Sequence, residues 1–291
     1  MQYWTVLPAF LKGQSDLAIP QTSRSAAENR DLPLHAVILA AGIGRRIGGG
    51  SPDSNLLPKV LLKFGGVSLL ERHLALLLAN GVCRVTLVVG YRADDLRAAL
   101  AEMAPRLPGL TVETIENPDY RRGSLVSLAA ANAVLASGAP IVLMDGDVLY
   151  DNRLMARLIR SDLENALLLD REIEPGDEPV KLCIRGESQI VDFHKRPRNA
   201  HDWHGESVGF FRFDPVSAAE LAQRTAGYLT LGRHDLEYEE AIRDMMIEAR
   251  PGRFGFEEIS GLPWTEIDFP EDVDKARGLL AALEPLPGPS R

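Results

Sequence analysis

Cysteine is scarce in this chain of 291 residues: there are two, Cys83 and Cys183, far apart. That excludes a disulfide framework and a cysteine-based zinc site, and a reduced, cytoplasmic setting is the expectation. Basic excess is missing as well. The 41 acidic side chains against 32 basic ones leave a net charge of −9, which argues against nucleic-acid or anionic-membrane partners, since both need a basic face. A small basic pocket is still allowed. No apolar run is long enough to span a bilayer, and the first residues lack the basic region and apolar core of a secretory signal. What remains is ordinary globular composition, 45% hydrophobic and 25% charged, in a chain long enough for one large α/β domain or two small ones.

Residues 1–33 show no clear periodicity after position 14 and read as an extension, disordered in part. The stretch 284–291, with Pro285, Pro287, Gly288 and Pro289, reads as a flexible tail. Between them, strand and helix signals alternate. Apolar or β-branched runs at 35–39, 84–89, 110–115 and 141–144 predict buried strands. Helical spacing covers 69–80, 94–103, 124–135 and 152–160, with Ser124 placed to cap the third of these. This βαβ rhythm predicts an α/β domain over 34–283: a Rossmann-like, mostly parallel sheet with helices on both faces. After Asp170 the texture changes to paired strands at 180–184 and 189–193 and another at 208–213, a small strand-rich insertion. Helices at 218–223 and 238–249, a short strand at 265–267 and a closing helix at 270–283 complete the expectation.

The first strand runs into Ala40-Ala41-Gly42-Ile43-Gly44-Arg45-Arg46. Small residues let backbone N–H groups approach phosphate oxygens, and the arginines add charge-assisted hydrogen bonds. Lys59, stiffened by Pro58, supplies a point charge. The P-loop pattern is missing, and Ile47 stands where a dinucleotide fingerprint needs glycine, although Gly48 gives a looser spacing. Lys59 and Lys63 also lie where an NAD-binding fold would place a ribose-binding carboxylate.

Two acidic clusters follow. Asp145-Gly146-Asp147 ends the 141–144 strand, at the carboxyl end of a parallel strand, which faces the ligand crevice. Glu266 and Asp268 lie two apart on a short strand and point the same way. Asp147 and Asp268 can therefore share Mg²⁺, with Glu266 nearby, because magnesium favours one or two carboxylates plus substrate phosphates. Asp151 and Asp272 read as turn residues or helix caps. His194, His201 and His204 match no zinc spacing and read as a solvated loop.

The run Ala36 to Arg46 followed by Pro58-Lys59 resembles the signature of the nucleotide-sugar pyrophosphorylase superfamily, with Arg45 standing where the family has a hydroxyl residue. The segments 117–128, 178–181, 194–195, 205–209, 238–241 and 264–272 are similar to those of phosphocholine cytidylyltransferases and of inositol-phosphate and aminoethylphosphonate cytidylyltransferases. The likeness covers about residues 35–280. It implies a GT-A-like nucleotidyltransferase fold and a Mg²⁺-dependent enzyme that joins CMP from CTP to a small phosphorylated alcohol or phosphonate, phosphocholine or an analogue. Implied catalytic residues are Arg46, Lys59 and Lys195. Implied nucleotide-binding positions are Leu39, Ala40, Ala41, Gly42, Gly44, Arg46, Lys59, Gly90, Asn117, Ser124 and Asp145. Implied acceptor-binding positions are Asp147, Tyr150, Lys181, Glu206, Tyr238, Glu239 and Trp264, with Asp147, Glu266 and Asp268 for the metal. For an amine head group, carboxylates and the faces of Tyr150, Trp203, Tyr238 and Trp264 are available. The alternatives are a sugar-1-phosphate nucleotidyltransferase using UTP, dTTP or GTP, and a non-catalytic nucleotide-binding regulator. Retention of Lys59, Asp147 and Asp268 speaks against the regulator.

Overall fold

The computed structural model describes residues 32–47, 56–173, 176 and 178–286. Gly48 and nearly all of the expected 1–33 extension lie outside these residues, as does the end of the 284–291 tail. The strands in chain order are β1 (His35–Ala40), β2 (Lys63–Phe64), β3 (Val67–Ser68), β4 (Arg84–Val89), β5 (Thr111–Glu116), β6 (Ile141–Asp145) and β7 (Val148–Tyr150). They continue with β8 (Ala166–Asp170), β9 (Lys181–Arg185), β10 (Gln189–His194), β11 (Trp203–Phe213), β12 (Gly255–Glu258) and β13 (Trp264–Glu266). The helices are α1 (Leu69–Ala79), α2 (Ala93–Met103), α3 (Ser124–Ala130), α4 (Asn132–Leu135), α5 (Asn152–Arg160), α6 (Pro215–Thr230), α7 (Tyr238–Glu248) and α8 (Pro270–Leu279). None of them is long and apolar enough to cross a membrane.

The main sheet runs β10-β9-β11-β6-β1-β4-β5, with β8 joined to β11 and β12 joined to β8. Strands β6, β1, β4 and β5 are parallel, as is the β8–β12 pair, while β11 turns antiparallel against β6, β8 and β9. Alternation along the central strands builds two cores. Ala36 and Ile38 of β1, with Val142 and Met144 of β6, face α1, α2 and α5 on one side. Val37 of β1, with Ile141 and Leu143 of β6, faces α3, α6 and α7 on the other. Helices therefore cover both faces, as the βαβ rhythm predicts.

Several boundaries differ from the sequence reading. The 124–135 helix is two short ones broken at Ala131, and Gly123 rather than Ser124 is the N-cap of α3. The Ser124 hydroxyl accepts the Tyr238 N–H at 2.9 Å instead of capping its own helix. Helix α6 spans Pro215–Thr230, far longer than 218–223, because Asp214 caps it by accepting from the N–H groups of Val216 and Ser217. The first residues of the expected tail are anchored. Glu284 N–H donates to Asp151 Oδ2 at 2.7 Å, and Leu286 packs on the core. Asp151 caps α5, and Asp272 Oδ2 accepts from the N–H groups of Asp268 and Phe269. Asp151 matches the cap reading, while Asp272 is the third residue of α8 and closes its first turn from within, with Phe269 at the N-cap.

β1 pairs with β4 on one side and β6 on the other, so the chain reverses its winding direction at the β1–β6 boundary. In open α/β sheets the crevice outside the carboxyl ends of such strands is where ligands bind. Here that crevice lies between the turn after β1 and the turn after β6.

Candidate active site

The turn after β1 works because Gly44 takes φ +68°, a left-handed conformation that side chains disfavour. A Cβ there would also come within 2.9 Å of Lys59 Cγ. Gly44 thus bends the loop and lets the lysine stem lie across it. Lys59 begins the 3-10 turn Lys59–Leu61, whose Val60 and Leu61 are buried. Its ammonium reaches Asp147 Oδ2 at 2.8 Å and Asp268 Oδ1 at 2.5 Å. Burial alone would lower its pKa, but the two carboxylates outweigh burial and raise it. The same pairing, against the opposing effect of burial, pulls Asp268 below the usual carboxylate range. Arg46 also hydrogen-bonds Asp268, and approaches Glu178 at 3.4 Å. Lys195 pairs with Glu178 at 3.1 Å. One cation cluster, Arg46, Lys59 and Lys195, therefore faces the acidic pair.

Strand β13 pairs antiparallel with β7, and Ile267 N–H donates to Asp147 O at 2.9 Å, which brings the two acidic clusters together. One oxygen from each of Asp147, Glu266 and Asp268 lies within 4.8 Å of the others. Three hard oxygen donors this close suit a divalent cation of the magnesium type. Burial of its carboxyl, then Asp147 and Asp268, push Glu266 up. Glu266 is exposed at the rim of the cluster, where negative charge is crowded.

A crevice of about 370 Å³ opens from this cluster along the glycine turn. Its walls include Leu39, Ala41, Gly42, Gly44, Arg46, Lys59, Ser124, Asp145 and Asp147, all singled out in the sequence. Ile43, Arg45, Tyr120, Arg121, Arg122, Ser127 and Glu237 complete it; Tyr120, Arg121, Arg122 and Ser127 lie in the 117–128 segment but were not singled out as site residues, and Glu237 was missed. The basic pair Arg121-Arg122 before α3 was the available signal. Ala40 is half-buried beside the turn but is not among the wall residues. Two predicted nucleotide contacts act through packing instead. Asn117 is buried, donates to Ser127 Oγ and accepts from Asp119 N–H, so it ties the 117–120 loop to α3. Gly90 lies where a Cβ would collide with Tyr120, so its bareness seats that aromatic ring.

The expected acceptor residues divide. Tyr238 donates to Asp145 Oδ2 at 2.7 Å, and with Glu206 and Glu239 it lines a second, small cavity beside the metal cluster. Three others fall elsewhere. Tyr150 is only 3% exposed, stacks on His73 and meets Phe210 edge-on. It belongs to the core, because its strand β7 turns that ring inward. Lys181 donates to the carbonyls of Pro179 and Lys195, so its charge pins the ends of β9 and β10. Trp264 donates to Asp170 Oδ2 at 2.7 Å and lines a separate hollow with Lys275 and Leu279. His194 pairs with Glu240, and His201 contacts His204. These histidines form no metal cluster among the described residues.

One residue that supports the site left no mark in the sequence. His73 on α1 is fully buried, and its Nε2 lies 2.9 Å from Gly146 O. Burial lowers its pKa to about 4, so it is neutral, and a carbonyl partner requires Nε2 to carry the proton. It braces the Asp145-Gly146-Asp147 turn from beneath.

Glycine is also required at 209. There φ is +76°, and a Cβ would overlap the Asp145 carboxylate. Gly209→Ala is expected to lose about 2 kcal/mol of unfolding free energy, read by urea titration; wild-type stability would contradict the close approach. Glu206 gives a second test. It is 5% exposed, and burial followed by Asp170 pushes its pKa up to about 7 from 4.5. A carboxyl whose folded pKa is raised stabilises fully below the unfolded value, and loses that contribution as pH rises through the folded one. Glu206→Gln should therefore raise Tm at pH 8 and change it little at pH 4. An equal shift at both pH values would refute the assignment.

The crevice at the ends of the central strands β1 and β6 thus gathers a glycine turn, a lysine bridged to two carboxylates and a three-oxygen cluster. The chain belongs to the MobA-like NTP transferase domain family, whose model matches residues 36–186. Among curated proteins it is 27% identical over 242 residues to the bifunctional IPC transferase and DIPP synthase of Rubrobacter xylanophilus, covering 82% of this chain and 50% of that one. It is 29% identical over 269 residues to the CMP-5'-(3-aminopropyl)phosphonate synthase of Streptomyces rubellomurinus, covering 87% and 40%. The chain spans about half the length of the curated relatives it matches. Among solved structures, the CTP:phosphocholine cytidylyltransferase of Streptococcus pneumoniae superposes with a TM-score of 0.66 at 21% identity, over 86% of this chain and 100% of that one, a likeness of fold.

Proposed function

We propose that this protein is a Mg²⁺-dependent cytidylyltransferase that joins CMP from CTP to a small phosphorylated alcohol or phosphonate and releases pyrophosphate. The observation that carries the reading is Lys59, bridged to Asp147 and Asp268 at the mouth of the crevice walled by the glycine turn. The cytidine choice is supported by the sequence likeness to the phosphonate synthase and to a 2-aminoethylphosphonate cytidylyltransferase of Lancefieldella rimae.

In this reading the triphosphate lies along Gly42 to Arg46, where backbone N–H groups and arginines meet its oxygens. An acceptor phosphate oxygen attacks the α-phosphorus. The new P–O bond forms as the α–β bridging P–O bond breaks, and pyrophosphate leaves. The acceptor needs no general base, because a phosphomonoester with a second pKa near 6 is largely a dianion at neutral pH. The obstacle is bringing one anion against another. Lys59, Arg46 and Lys195 reduce that repulsion and stabilise charge on the five-coordinate phosphorus and the leaving group. Asp147, Glu266 and Asp268 would hold Mg²⁺, which supplies charge neutralisation at the phosphates when bound.

The test is a matrix of CTP, UTP, GTP and dTTP against phosphocholine, phosphoethanolamine, 2-aminoethylphosphonate, inositol 1-phosphate and glucose 1-phosphate, with and without Mg²⁺. Pyrophosphate release with CTP and one of the first four acceptors is expected. No release with CTP and any acceptor would sink the reading, and release with glucose 1-phosphate and UTP would favour a sugar nucleotidyltransferase.

A further inference from the structure

One carboxylate stands among the cations. Glu178 Oε2 lies 3.1 Å from Lys195 Nζ and 3.4 Å from Arg46 Nη1, so a single oxygen spans both charges. Arg46 comes from the glycine turn that follows β1, and Lys195 follows the end of β10. The carboxylate therefore ties together two walls that the sheet brings in from different directions. Its own place is set by the backbone on either side. The Lys181 ammonium donates to the carbonyls of both Pro179 and Lys195, and Ser207 N–H donates to Val180 O at 2.8 Å. Glu178 is thus held at a fixed distance from Lys195, although its side chain is half exposed.

Arg46 and Lys195 repel each other, and the effects on Lys195 show it. Arg46 works to lower its pKa, and Glu178 works to raise it. Two cations that share one partner need an anion between them. An oxygen shared by a guanidinium and an ammonium also has the surroundings that a phosphate oxygen takes. Glu178, Lys195 and Asp268 line the small cavity beside the metal cluster, so this oxygen lies next to the proposed point of transfer. A phosphomonoester brings a charge of about −1.5 to −2 and three acceptor oxygens, against the single charge of a carboxylate. It can therefore take both cations from Glu178. Transfer reverses that advantage. Once bonded to the α-phosphorus, the acceptor phosphate keeps one ionisable oxygen, and the carboxylate then competes on equal charge.

We infer that Glu178 is an internal stand-in for the acceptor's phosphate: the incoming dianion displaces it from Arg46 and Lys195, and it retakes both as the product leaves. The identity of the anion rests on the proposed nucleotidyl transfer, while the exchange itself does not. Glu178 is a positioning residue, since it aims two cations at one point without touching substrate. It lowers affinity for every anion, because only the fraction of protein with both cations open can bind one. In return it speeds the departure of a product that has lost a charge.

The test is calorimetric titration with methyl phosphate, with Mg²⁺ and α,β-methylene-CTP present to occupy the glycine turn. Glu178→Gln keeps the shape of the side chain and removes its charge. Its affinity for methyl phosphate should rise about tenfold or more above the wild type, and Lys195→Ala should lose the binding. A residue with a structural role alone would weaken binding when replaced. Unchanged or weaker binding in Glu178→Gln overturns the inference, as does wild-type binding in Lys195→Ala. In turnover with CTP, Glu178→Gln should lower both the acceptor KM and kcat, because the product leaves more slowly; a raised KM overturns the exchange and leaves the transferase reading standing. If no acceptor turns over, the transferase reading fails, and the same three proteins titrated with methyl phosphate alone still decide the exchange.

Discussion

Lys59→Ala is expected to lower kcat/KM on the order of 10²–10³-fold, the scale for removing one donor from a developing anion. The same substitution should also change stability in a way that reports its second role. The Lys59 side chain is 16% exposed, and its ammonium lies between Asp147 and Asp268. Removing it leaves two carboxylates facing each other, with Glu266 adjacent. Breaking a buried pair by deleting one partner costs about 3–5 kcal/mol, and the part exposure here puts the expected loss below that range. Divalent cation should recover it. In EDTA the variant's Tm falls below that of the wild type, and MgCl₂ raises the variant's Tm more, because no ammonium competes for the same oxygens. Equal Mg²⁺ shifts in the two proteins would show that Lys59 and the cation do not share that space.

The second large effect belongs to the acidic pair. Asp147→Asn and Asp268→Asn should each reduce turnover at least 10³-fold, because each takes a charged oxygen from the cluster and a counter-charge from Lys59. Mg²⁺ titration of the variants by calorimetry should lose the wild-type binding step. An active double variant would refute the assignment. Asp268 adds a pH signature in the metal-free protein. Its folded pKa is depressed from 3.8, chiefly by Lys59 working against burial. A depressed carboxylate contributes stability above its unfolded pKa and loses it as pH falls through the folded value. The wild type should therefore lose stability steeply below about pH 4, and Asp268→Asn should be less stable at pH 7 with a shallower acid limb. Parallel acid limbs would refute that pairing.

How much of this was legible in the sequence depends on how local each signal is. The β1 strand, its glycine turn, Lys59 and the Asp145–Asp147 turn are contiguous features, and the structure joins them at one crevice. Glu266 and Asp268 were placed by the alternation of a short strand, and the β7–β13 pairing brings them to Asp147. Elements without periodicity were lost. β8 is a buried leucine run with no polar face to set its register, and β12 and β7 are only a few residues long. The first half of β11 is polar and was read as loop, because its partners β8 and β9 lie far upstream. Tyr150 and Trp264 were chosen as aromatics beside the site, yet ring direction depends on tertiary packing that spacing does not encode. His73 was invisible for a similar reason. Its partner is a backbone carbonyl 73 positions away.

Asp145 stands in the walls of both the crevice along the glycine turn and the small acidic cavity, held there by Tyr238 and hemmed by Gly209. It is a party wall between two rooms. Any tilt of that carboxylate made by an occupant on one side is felt on the other, and such coupling is reciprocal by thermodynamic necessity. Under the proposed transfer the affinity of each substrate becomes a readout of the other's presence, and Tyr238→Phe, which removes the hydroxyl that Asp145 accepts from, should uncouple the two rooms without emptying either.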